Sequence, residues 1–123
     1  MRLFPRWPEL FEVSLRAVLA NRSRGIVAPA ELVSAYRACG ARRRARDHVA
    51  RERLRRTIRF VDRLFPSGPN CYRRTLTEIA LDAGAAAEPV HMGLQANGGP
   101  RSGHIWLASA PDGAGRYDAE FVL

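Results

Sequence analysis

Pro66-Ser67-Gly68-Pro69-Asn70-Cys71-Tyr72-Arg73-Arg74-Thr75-Leu76 is the stretch on which the fold turns. Two prolines and a glycine in four residues stop any helix arriving from the N-terminal side. Immediately beyond them a new helix is predicted from Cys71 to Ala83, with Tyr72, Leu76, Ile79, Ala80 and Ala83 on one face. Arg74 and Glu78 form an i,i+4 pair on another face, and Gly84 stands where a helix ends. Then the period changes from 3.6 to 2. Val90, Met92 and Leu94 alternate with His91, Gly93 and Gln95, and Asn97-Gly98-Gly99-Pro100 is turn chemistry. A second strand is expected from His104 to Ala110 and a third from Arg116 to Val122, separated by the turn Pro111-Asp112-Gly113-Ala114-Gly115. Residues 66–123 therefore read as one helix and a three-stranded antiparallel meander.

Upstream of the break the pattern is helical throughout. Pro8 suits a first helical turn, and Leu10, Phe11, Leu15, Val18 and Leu19 recur at helical spacing, which predicts them as the inward face. Pro29 starts a second helix carrying Leu32, Val33 and Tyr36, with Gly40 as its break. A third helix is expected from about Arg44 to Leu64, with one apolar stripe through Ala45, Val49, Leu54, Ile58, Val61 and Leu64 or Phe65. The fold class is α+β. An arginine-rich helical part, 1–65, precedes a core, 66–123, in which a cysteine-bearing helix packs on an antiparallel sheet, all within one domain of 123 residues.

The bulk numbers bound the function classes. The net charge of +8 is uneven: residues 1–70 hold 16 arginines against 6 acids, and 71–123 hold 4 against 6. Every basic residue is arginine, a side chain that grips carboxylates and phosphates bidentately. Between Arg37 and Arg63 there are 11 arginines and 3 acids, most simply a solvated helix face. That face could also dock an acidic partner, bind phosphates, or lie on an anionic membrane with Trp7 and Phe11. No run reaches the 18 apolar residues of a membrane span, and the charged, proline-bearing start lacks a signal-peptide core, so the cytoplasm is expected. Two cysteines, Cys39 and Cys71, make neither a disulfide framework nor a cysteine zinc site. No metal and no cofactor are called for.

Chemistry concentrates on Cys71. A helix start carries unpaired N–H groups and about half a positive charge, which favours thiolate over thiol, and Arg74 adds a cation one turn on. Cys39, inside a helix, has no such setting. Of the three histidines, His104 opens a strand that can pack against the cysteine helix and serve as its base. His91 reads as an exposed strand residue, and His48 lies among arginines. Asp118 on the third strand would orient the imidazole, and Asp112, in a Pro-Asp-Gly turn, is its rival.

The order of a cysteine at a helix start, His-x-Trp on a strand and Asp on the next resembles the transglutaminase-like superfamily of papain-type thiol enzymes. More narrowly, Cys71-Tyr72-Arg73-Arg74-Thr75-Leu76, Gly84, Val90-His91-Met92-Gly93-Leu94 and Gly103-His104-Ile105-Trp106 look like the lasso-peptide maturation proteases. That resemblance covers about residues 60–123. It differs in having Ile105 within His-x-Trp where the family has alanine, and Ala108-Ser109 where an acid usually follows the tryptophan. It implies a cysteine peptidase with Cys71, His104 and Asp118 as triad, supported by Arg74 and Trp106, that removes the leader of a ribosomally made precursor peptide. It also implies two partners, a separate leader-recognition protein and an ATP-using lasso cyclase. Two alternatives stand beside it. One is a basic helical nucleic-acid-binding protein without catalysis, which leaves Cys71 and His104 unexplained and lacks aromatics among the arginines. The other is a thiol acyltransferase on the same core.

Overall fold

A computed structural model describes residues 7–23, 25–95, 102–109 and 119–123. Five helices, α1 (Trp7–Ser23), α2 (Pro29–Ala41), α3 (His48–Asp62), α4 (Cys71–Leu81) and the single turn α5 (Ala83–Ala86), precede three strands. The strands are β1 (Val90–Gln95), β2 (Ser102–Leu107) and β3 (Ala119–Val122), all antiparallel to their neighbours, so the class is α+β.

The local starts and stops follow side-chain chemistry. Asp47 caps α3 by accepting the Ala50 N–H at 2.8 Å, which starts that helix at His48, four residues later than the expected Arg44. Asn70 caps α4, accepting the Arg73 N–H at 3.0 Å. Asp82 ends α4 early because it adopts extended backbone and caps α5 instead, taking the Gly84 N–H at 3.0 Å. Gly84 thus lies inside α5 and does not terminate the longer helix.

α4 is the central element. It touches α1, α2, α3, α5 and β2, and from Thr75 to Leu81 every residue is buried, so the one-sided stripe expected of it is replaced by burial all round. Leu76, Ile79 and Ala80 join Leu54, Ile58 and Val61 of α3, Leu32, Val33 and Tyr36 of α2, and Ile105 and Leu107 of β2 in one apolar cluster. α2 comes so close to α4 that a Cβ at Gly40 would run into the Ile79 carbonyl and lie 2.9 Å from the Ala86 methyl. α1 corrects its sequence reading in part: it buries the smaller Val13, Ala17 and Ala20, keeps Leu10 packed against the core, and leaves Phe11, Leu15, Val18 and Leu19 exposed. A helix crossing two others at close range packs through its small residues.

The sheet also departs from expectation. Its order is β2-β1-β3, so β1 is central and the meander is excluded. His104 opposes Gly93, Trp106 opposes His91, and Glu120 faces Gly93 from the other side. Leu123 closes the far edge by exchanging both backbone hydrogen bonds with Val90 at 2.7 and 3.3 Å. β3 is consequently not the neighbour of β2.

Candidate functional site

The thiol is placed by the loop before it. Asp62, at the end of α3, is 2% exposed and holds three partners. It accepts from Arg73 Nε at 2.7 Å, from the Asn70 backbone N–H at 3.0 Å and from Arg74 at 3.1 Å. Arg73 is itself 1% exposed. Its guanidinium also donates to the carbonyls of Gly68 at 2.8 Å and Asp62 at 3.1 Å and to Asn21 Oδ1 at 2.9 Å, and it lies 3.8 Å over the Phe65 ring. Gly68 takes φ +83°, a left-handed turn that glycine adopts without strain. Residues 63–70 are thus wrapped around one buried ion pair, and Cys71 emerges from that loop as the first residue of α4. Asn70 satisfies the Arg73 N–H, while the N–H groups of Cys71 and Tyr72 have no acceptor within the helix.

His104 is placed by β2. Thr75, one turn after Cys71, donates its hydroxyl to the Ile105 carbonyl at 3.3 Å, pinning α4 to the strand beside His104. Along β2 the pleat alternates. Ile105 and Leu107 are buried in the core, whereas His104 and Trp106 belong to the opposite face and are half-buried. There Trp106 stacks on His104 (ring centroids 5.4 Å apart) and on His91 (5.6 Å). Because β2 is an outer strand, a residue of that face can still border a hollow that opens beside its edge.

That hollow contains both sequence candidates. A cavity of about 510 Å³ is lined by Cys71, Tyr72, Met92, Leu94, His104 and Ile105, and on its other side by the α1–α2 connection, residues 25–29. Its walls are mostly apolar. Burial raises the pKa of the Tyr72 phenol, and the neighbouring Tyr36 adds to the shift, so the ring stays neutral in the physiological range. Cys71 also lines a second, more polar cavity of about 310 Å³, with Arg59, Arg74, Glu78, Thr75 and Trp106 among its walls. The sulfur-bearing residue therefore stands where two hollows of unlike polarity meet.

The remaining candidates fall as follows. Cys39 is half-buried in α2, with Arg16 donating to its sulfur at 3.8 Å, and lines neither cavity. Arg74 lines the polar cavity but pairs with Asp62, and Glu78 pairs instead with Arg51 (2.9 Å) and Arg55 (3.0 Å), so the expected Arg74–Glu78 pair is replaced. Asp112 and Asp118 lie outside the described residues. The expected adjacency of the second and third strands is corrected, since β1 separates β3 from β2 by two strand spacings, about 10 Å. Asp62 and Arg73 escaped sequence reasoning; nothing in a run of arginines marks which guanidinium is buried.

The arginine-rich region is less a solvated face than expected. Among the described residues Arg43, Arg46, Arg51, Arg53 and Arg55 all meet carboxylates: Glu12, Glu9, and the group Glu78, Asp82 and Glu88. They join α3 and the segment before it to α1, α4 and the approach to β1. No set of three His, Cys, Asp or Glu side chains is placed to hold a metal ion among the described residues. Nor, among them, is any helix long and apolar enough to cross a membrane. No protein-family model matches the chain, and neither the curated proteins nor the solved structures give a match.

Proposed function

We propose that the chain is a cysteine peptidase that removes the leader from a ribosomally made precursor peptide. The observation that carries the reading is that Cys71 and His104, 33 positions apart in sequence, line one cavity. The capped helix start supplies the electrostatic setting a thiolate needs, and the Trp106 stack holds the imidazole at the rim. The leader-peptide specialisation rests on the resemblance of residues 60–123 to the lasso-peptide maturation proteases, and a transglutaminase-like core is part of the same proposal. So are a cytoplasmic location and the two partners, a leader-recognition protein and a ring-closing cyclase.

In this mechanism His104 takes the Cys71 proton, and the thiolate attacks the scissile carbonyl carbon. The oxyanion develops beside the Cys71 N–H, which no helical carbonyl competes for. His104 then protonates the departing amine. Water, deprotonated by the same imidazole, hydrolyses the thioester and releases the free carboxylate. Asp118 is the acid to test for fixing the imidazole tautomer.

Incubating the chain with its precursor and delivery partner, read by mass spectrometry, tests the assignment. Cys71→Ala and His104→Ala should abolish leader release while Cys39→Ala retains it. Equal processing by all three variants would overturn it. A product ending in an amide instead of a free carboxylate would convert the hydrolase into an acyltransferase.

A further inference from the structure

We infer that the substrate segment spans both hollows that meet at Cys71, with an apolar side chain in one and carboxylates in the other. The inference rests on the peptidase reading for its chemistry, but its recognition half can be measured without turnover.

The two hollows differ in kind. The larger offers Ile26, Val27, Ala28, Tyr72, Met92 and Leu94, a set that rewards an aliphatic or aromatic side chain for leaving water. Across Cys71, the smaller presents three guanidiniums, Arg55, Arg59 and Arg74, against one carboxylate, Glu78. Arg55 already holds Glu78 and Ser109, and Arg74 holds Asp62. Arg59 is exposed and pairs with no carboxylate among the described residues. A side chain with negative charge entering this hollow meets uncompensated positive potential; a lysine meets repulsion. A carbonyl positioned for attack by Cys71 lies between the two, so residues on its opposite sides fall into opposite hollows.

The test uses fluorescein-labelled synthetic decapeptides built on a Gly-Ser background. Each carries one Leu on one side of the central bond and Glu-Glu, Gln-Gln or Lys-Lys on the other, in both chain directions. Anisotropy titrations with Cys71→Ala should show, for one direction, Glu-Glu binding about fivefold tighter than Gln-Gln and Lys-Lys weakest, with the difference shrinking as salt rises. Arg59→Gln should remove most of that preference and Arg59→Glu should reverse it. Ala28→Trp, which fills the apolar hollow from its rim, should weaken every Leu peptide while keeping the charge order; circular dichroism melts check that these variants fold. Binding that ignores charge in both directions, or survives Ala28→Trp unchanged, overturns the two-hollow assignment. Wild-type chain incubated with the preferred peptide tests the chemistry separately. Charge-selective binding without Cys71-dependent cleavage keeps the recognition inference and sinks the peptidase; cleavage indifferent to Glu or Lys does the reverse.

Discussion

At the residue scale, the buried pair Arg73–Asp62 fixes the loop that delivers the thiol. An ion pair this deep is weakly favourable as a unit, but either charge left alone is costly, about 3–5 kcal/mol. Asp62→Ala should therefore destabilise by that order in urea denaturation, since it strands Arg73 and releases the Asn70 N–H. Adding Arg73→Met should recover part of the loss. A double variant as unstable as the sum of its singles would mean the two residues act independently. Sequence reading singled out Cys71 and His104 because each follows turn chemistry, a thiol just past a proline-glycine break and an imidazole just past Ser102-Gly103, although β2 begins at Ser102 and carries His104 as its third residue. It pointed to Arg74 and missed Arg73, because adjacent arginines differ only in which way the helix turns them. The tertiary partner, Asp62 eleven residues back, decides that, and no local signal announces it.

At the element scale, α2 approaches α4 so closely at Gly40 that no side chain fits between them. Alanine normally stabilises a helix relative to glycine by about 1 kcal/mol. Here Gly40→Ala should instead lower stability, by about 1–3 kcal/mol or more, as the added methyl forces the two helices apart. A raised melting temperature would show that the helices are not held at this distance. Four of the five helices were readable from their punctuation, Pro29, the 66–70 break and the switch to period 2 at Val90, and the single turn α5 was not. What periodicity could not give was which partner each face meets. α1 carries a large-residue stripe and a small-residue stripe, and only the closeness of α3 and α4 selects the small one. Likewise three successive strands suggest hairpins, yet β3 pairs with β1. Its seat is fixed by contacts at the far edge of β1, the Leu123–Val90 pair and the Arg37 guanidinium that donates to the Leu123 carbonyl at 2.6 Å.

At the scale of the whole molecule, arginines of α3 act as ties between layers. Arg51 reaches Glu78, Asp82 and Glu88, and Glu88 in turn accepts the Ser109 N–H at 2.9 Å, linking the helices to the end of β2. Burial pushes the Glu88 carboxyl up, but the hydrogen bonds from Ser109 and Arg51 and the Arg51 charge together outweigh it and hold the pKa below its ordinary 4.5. The folded value lies under the unfolded one, so this stabilisation is full above about pH 4.5 and is lost as the pH falls through the folded pKa. Glu88→Gln should therefore lower the melting temperature at pH 7 and narrow its gap to wild type on acidification; a gap unchanged at low pH would remove Glu88 from the acid response. The excess of arginine suggested a free basic face, and the sequence could not reveal that acids on α1 and α4 converge on it. The meeting of two unlike hollows at Cys71 has a practical corollary. A small electrophile with a lipophilic arm and an anionic tail would be oriented across the sulfur before its warhead reacts. Cys39, with neither hollow beside it, would be spared, so selective covalent ligands of Cys71 can be sought on shape and charge without tuning reactivity.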